Sequence, residues 1–350
     1  MNAAYINLIN ILLSLIIDYL IKKQIIFITS IMVKKIFLLI FLVKLSCIFS
    51  QQLPFWTQHR SNYLLLNPAV SGYKKTLESR VVYRNQWTGF DGAPKTLNFS
   101  THTKFRSEKI GAGFYFYQDK IGIQQINSFA GSFAYHVLYE DLKLSFGINA
   151  SYNQNNIDVT NVTYVNSHDV ILNNIIQYSS ASQINAAAGF IVHNEKFYCG
   201  IAVNNLVKSA FKFRETPESK LSTDLSAVKH YNLAVGYNWL DNPDFIWENS
   251  LMINYVPNIP LLIDYNLKLY MMDAFYVGIG ARIKTAVYAQ LGYTISNAIQ
   301  IGYSYDYNTN ILRNTNSGSH ELKLVYILDN GKGIGRRESS FHHRKFQYLM

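Results

Sequence analysis

The sequence predicts an all-β chain, a transmembrane antiparallel β-barrel of the bacterial outer membrane with about 14 strands. Three observations predict it. The first is composition: 15% of the 350 residues are charged and 15% aromatic, and the mean hydropathy is +0.01. A soluble domain averages about 25% charged residues. A helical membrane protein, needing roughly 20 apolar residues per span, would read far more apolar. The second is a period-two alternation from residue 77 onward. The third is the way the long connections sort between the two ends of the strands.

Alternation is the signature of strands, because successive side chains point to opposite faces. In residues 142–152, Leu142, Leu144, Phe146, Ile148, Ala150 and Tyr152 alternate with Lys143, Ser145, Gly147, Asn149 and Ser151. Residues 287–294 and 299–306 repeat the pattern. One face suits lipid and the other water. Asp306, Lys143 and Arg282 are read as facing the lumen, since charge facing lipid at mid-depth is costly. Gly111 with Gly113, and Gly278 with Gly280, mark faces where a neighbouring group packs close to the backbone.

The strands are placed near 77–88, 94–104, 108–119, 123–137, 141–153, 182–193, 195–204, 229–240, 245–255, 260–270, 273–283, 285–294, 297–305 and 318–328. An even number suits a single-chain barrel. The longest gaps are 154–181, 205–228 and 306–317, all after odd-numbered strands. With the first strand rising from the periplasm, these fall on the outward side, as in outer-membrane barrels.

Upstream, residues 32–50 read as a secretory signal peptide, with Lys34 and Lys35 before an apolar run from Ile36 to Val43. Residues 1–31 are read as an over-extended start or leader; the competing reading is a transmembrane helix from Ile6 to Ile21. Residues 51–76 form an N-terminal segment broken by Asn67-Pro68 and Gly72. Two places suit it, inside the lumen as a plug or against the periplasmic rim. The barrel spans 77–328, and 329–350 is a basic tail.

Outside residues 1–50 the chain carries 27 basic and 21 acidic residues, scattered except at the tail. No basic stripe suggests nucleic acid. Cys47 lies in the export segment, which leaves Cys199 without an internal partner. The nine histidines show no metal spacing. Ser100 and His102 share a strand face, yet no orienting third group or oxyanion site can be placed for nucleophilic chemistry. Ser319, His320 and Glu321 alternate faces and cannot act together. Charges look sparse on the strands, which argues against a porin with charged lumen rings. No catalytic residue, cofactor or metal is expected.

Four stretches go beyond generic barrel sequence: WTQHRSNYLLLNPAVSG at 56–72, YRNQWTGFDGAPKT at 83–96, GAGFYFYQDKIG at 111–122, and IGYSYDYNTN with NSGSHELKLVY within 301–326. Together they resemble the PorP/SprF family of type IX secretion system membrane proteins. The resemblance implies an outer-membrane barrel that works with the type IX machinery in secretion or surface anchoring of cargo, including gliding adhesins. It also implies partner-binding candidates at loop positions: Arg84, Asn85, Gln86, Trp87, Asp91, Lys95, Asp119 and Lys120. Asp91-Gly92 is itself a tight-turn signal, so an aromatic anchor made by Trp87 and Phe90 around a turn is the plainer reading of that stretch. The alternative class is an outer-membrane transporter or porin for small or hydrophobic solutes.

Overall fold

A computed structural model describes residues 55–105, 109–158, 178–212, 224–240, 244–272, 274–296 and 298–328. The expected leader, signal peptide and basic tail lie outside the described residues. In chain order the strands are β1 (Leu77–Asn85), β2 (Lys95–Lys104), β3 (Ile110–Ile121), β4 (Gln124–Tyr139), β5 (Leu142–Asp158), β6 (Tyr178–His193), β7 (Phe197–Asn204), β8 (Ala210–Lys212), β9 (Asp224–Ser226), β10 (His230–Trp239), β11 (Phe245–Tyr255), β12 (Leu262–Met271), β13 (Phe275–Arg282), β14 (Ala286–Ser296), β15 (Ile299–Asn308) and β16 (Ser319–Leu328).

All but β8 and β9 pair antiparallel with their neighbours in one closed 14-strand barrel. Closure comes from β1 against β16, in a register from Leu77↔Leu328 to Asn85↔His320. Closing the sheet removes the free edges that lipid could not satisfy. Each expected strand is present. The two short strands β8 and β9 form a separate pair within the β7–β10 connection, which the sequence pattern does not reveal.

Strands β5 and β6 run further than the alternation suggests, pairing out to Asp158↔Tyr178. Their ends are rich in Asn, Gln and Ser rather than apolar residues. These polar side chains bond across the ladder: Gln154 Nε2 donates to Ser180 Oγ (3.2 Å), and Ser180 Oγ to Asn156 Oδ1 (2.8 Å). Amide and hydroxyl pairs therefore extend the sheet where hydrophobicity gives no signal.

Antiparallel order puts every odd-numbered connection of the barrel at one end, here the loop end. It includes 86–94, 159–177, 205–229 and 309–318; the opposite, turn end has only short links. The outward face is apolar at mid-height, with Ile148, Ile201, Ile279 and Leu291 exposed. Exposed Tyr237, Trp239, Trp247, Phe275 and Tyr293 lie toward the turn end, and Tyr83, Tyr231, Tyr255 and Tyr307 toward the loop end. An apolar band between aromatic girdles is the lipid-facing surface of an outer-membrane barrel.

Residues 55–76 fill the lumen. Two 3-10 helices, His59–Leu65 and Pro68–Val70, are joined at Asn67, whose Oδ1 accepts the Ala69 amide at 2.9 Å. Tyr63, Leu66, Ala69, Val70 and Tyr73 pack with Ile191, Tyr198, Ala234 and Met252 of the wall. Trp56, Leu64 and Leu65 pack with Val82, Tyr115, Tyr117 and Ala130. The expected close approach at alternating glycines has this plug as part of its cause. A Cβ on Gly111 would collide with the Ser71 carbonyl and Gly72, and one on Gly147 with the Pro68–Ala69 backbone.

Candidate functional site: a charge-locked plug beneath the loop end

The strand charges are few, but they are not dispersed. Glu78, Arg80 and Arg84 of β1, Glu248 of β11, Asp264 and Lys268 of β12, Arg282 of β13, Asp306 of β15, and Glu321 and Lys323 of β16 are all buried on the lumen face. Asp306 and Arg282 face the lumen as their strand parity requires; Lys143 shares the face of buried Ser145. The expectation of sparse lumen charge is therefore corrected. A low total charge is concentrated on one sector of the inner wall, β1 with β11–β16.

These charges grip the plug. Glu321 accepts the Thr57 amide on Oε2 and the Gln58 amide on Oε1, each at 2.8 Å. Arg84 pairs with Asp306 (2.8 Å) and Glu321 (3.1 Å), and donates to Thr57 Oγ1 at 2.6 Å. Thr57 Oγ1 in turn donates to Asp306 at 2.7 Å. Arg282 links Asp264 (3.3 Å) to Asp306 (3.4 Å), and its guanidinium lies 4.3 Å from the centre of the Phe55 ring. Tyr276 donates to Gln58 Oε1 at 2.8 Å, and Lys323 to Ser61 Oγ at 2.7 Å. Lower in the plug, Arg60 pairs with Glu248, and Lys74 with Glu78 at 2.9 Å. Burial, then the neighbouring Lys268 and Arg282 charges, lowers the His59 pKa to about 3, so that plug imidazole is neutral.

On the opposite wall, β2–β7 with β10, polar contacts to the plug are made by amides, hydroxyls, backbone and the His136 imidazole, whose Nε2 lies 2.9 Å from the Ser71 carbonyl. Asn62 Nδ2 donates to Asn98 Oδ1 at 2.7 Å. Ser100 Oγ donates to Asn62 at 2.9 Å, while His102 meets Arg80 at 3.0 Å, so this Ser and His serve separate partners. Asn67 Nδ2 reaches the carbonyls of Phe190 and Ile201, each at 3.2 Å. A cleft remains between this wall and the plug. Trp56, Tyr115, Tyr117, Asn149, Gln183 and Phe211 are among its lining residues, and no charged side chain lines it.

The eight candidate residues divide. Arg84 lies on the lumen face of β1, 1% exposed and paired within the plug lock. Asp119 is also interior, 6% exposed and accepting from Thr96 Oγ1 at 2.7 Å. Parity explains both, since even-numbered residues of β1 and odd-numbered residues at the end of β3 face inward. Asp91, Lys95 and Lys120 are exposed at the loop end, with Lys95 and Lys120 cross-strand partners. Asn85, Gln86 and Trp87 are partly buried beside them. The β1–β2 loop is pinned on both sides: Thr88 exchanges backbone bonds of 2.8 Å with Gly318 and Ser317, and Gly122 donates to Gly92 at 2.9 Å. Phe90 is exposed at its tip.

Thr57, Gln58, Asp306 and Glu321 are not among the residues that sequence reasoning picks out for binding. Their signal is in the sequence all the same. They lie in the first and fourth distinctive stretches, 56–72 and 301–326, while Arg84 lies in the second. Stretches far apart in the chain meet in one buried cluster.

A family model described as "Type IX secretion system membrane protein PorP/SprF" matches residues 48–326. No curated protein matches by sequence. Among solved structures, the chain is similar to the Ralstonia pickettii toluene transporter TbuX, at 11% identity and a TM-score of 0.45, over 76% of this chain and 92% of that one. A Pseudomonas aeruginosa FadL homologue is similar at 10% identity and a TM-score of 0.41, covering 73% and 89%. The translocator domain of the autotransporter NalP from Neisseria meningitidis follows at 9% identity and 0.38, covering 77% and 95%. The likeness is too distant to carry function.

Proposed function

We propose that this chain, which belongs to the PorP/SprF family of type IX secretion system membrane proteins, supports the secretion or surface anchoring of particular cargo proteins by recognising them at its loop end. The chain is an outer-membrane barrel, and the loop end is taken as the cell-surface side. One observation carries the reading: residues 55–76 occupy the lumen and are held by buried ion pairs to the wall. A passage for solutes requires a lumen that is open or opens readily, whereas a recognition platform gains from a rigid, filled one. The exposed Asp91, Lys95 and Lys120, on loops pinned to one another, provide a preorganised polar surface. Gliding adhesins are one class of cargo that family membership suggests.

Deleting the gene in its host, followed by proteomics of the cell surface and culture medium, tests this. The expected result is loss of one or a few large surface proteins while bulk outer-membrane proteins stay. Unchanged secretion with reduced uptake of a solute would instead identify a transporter.

A further inference from the structure

Strand β6 is only partly paired. Its register with β7 runs from Ala188↔Val203 to His193↔Tyr198, and among the described residues no strand continues along Tyr178–Ala187 on that side. The Leu206 amide still reaches the Ala186 carbonyl at 2.9 Å. Beyond that point the chain turns inward. Val207 and Ser209 bond to the side chains of Asn185 and Gln183, not to the β6 backbone, and Phe211 is buried in the cleft. Among the described residues, no backbone group bonds to that edge beyond Ala186 at the loop end.

Strand geometry tells which groups are bare. Because the Ala186 carbonyl faces away from β5, so do the N–H and C=O groups of Ile184, Ser182 and Ser180. Natural proteins protect such edges with charge, proline or bulges. Residues 178–189 read YSSASQINAAAG, with no charged residue and no proline. The outward side chains Ser180, Ser182 and Ile184 are exposed, and the adjacent cleft is lined by amides and aromatics without charge.

From this we infer that the β6 edge at the loop end is a strand-addition site, where an extended, uncharged segment of the exported partner pairs with Ser180, Ser182 and Ile184. Main-chain bonds would supply affinity and alternate side chains selectivity. The inference rests on the recognition role proposed above and specifies where and how that recognition occurs.

Ser182→Pro is the test. Its N–H faces the open edge, so proline removes a donor to the added strand and no bond of the β5–β6 ladder. Ser182→Ala keeps that donor. Each variant replaces the native gene in the host. Surface proteomics is then read for the protein whose delivery the gene deletion abolishes, and heat-dependent gel mobility reports barrel folding. The expected result is a folded Ser182→Pro barrel with delivery reduced by about tenfold or more, and near-normal delivery with Ser182→Ala. A photo-reactive residue at Gln183 is expected to crosslink to that same surface protein. Full delivery by a folded Ser182→Pro barrel overturns the inference. So does a Ser182→Pro barrel that changes only from self-associated to monomeric, which would make a second copy the occupant. If Ser182→Pro does not accumulate, Ser180→Pro, nearer the end of the ladder, decides on the same readouts. A deletion that removes no surface protein defeats the recognition role itself, a different outcome from delivery that survives the proline.

Discussion

The two sectors of the inner wall hold the same plug by different physics. On β1 and β11–β16, ion pairs and charged hydrogen bonds fix residues 55–61 in position. On β2–β7 and β10, shape does most of the work: glycines admit the plug backbone, and neutral amides and hydroxyls satisfy its polar groups. A buried charge needs its partner, because removing one leaves the other uncompensated. A neutral contact loses less when broken. The charged sector should therefore be brittle and the neutral sector tolerant, except where backbone meets backbone. The neutral sector is also where room remains for a ligand.

Breaking the charged sector should give the largest effect. Glu321→Ala strips Arg84 of a partner and leaves the Thr57 and Gln58 amides unpaired. We expect a loss of ~3–5 kcal/mol in denaturant unfolding of the detergent-solubilised barrel, together with protease access to residues 55–76. A fall below ~1 kcal/mol would mean that the lock is redundant.

Gly147→Val probes the exception in the neutral sector. The new side chain would meet the Pro68–Ala69 backbone, so overpacking of ~1–3 kcal/mol or more is expected, with exposure of the plug. Unchanged stability would show that the plug sits less tightly against β5. Asn67→Ala removes a cap and two long bonds to the wall. The expected loss is ~1–2 kcal/mol, measured in the same unfolding series. Asp91→Ala and Lys95→Ala, outside both sectors, should leave stability within ~0.5 kcal/mol while reducing cargo at the cell surface. A stability loss as large as that of Asn67→Ala would recast them as structural residues.

How far the sequence reveals all this follows from what each signal measures. Alternation reports burial on one face, so it places the strands well, including the inward parity of Asp306 and Arg282. It fails at Asn153–Asn156 and Ser180–Ser182, where polar pairs rather than apolar faces continue the ladder. It also underrates lumen charge, because a linear count does not show that β1 and β11–β16 become neighbours when the barrel closes. Arg84 illustrates the point. Beside Trp87 and Asp91 in sequence it reads as a loop residue, yet its position in the β1 ladder turns it inward to Asp306 and Glu321, more than two hundred residues away. Burial of the plug at Thr57 and Gln58 is likewise invisible locally, since its partners come from the far end of the chain. The β6 edge shows as an absence of charge in 178–189, but only the early end of β7 makes that absence meaningful.

A filled lumen is tested most directly by ion conductance of the purified full-length barrel in planar lipid bilayers, wild type beside Glu321→Ala. The wild type is expected to show no steady open channel, and Glu321→Ala to show channel openings as the plug loosens. A steady open channel from the wild-type barrel would contradict a filled lumen and return the chain to the porin class.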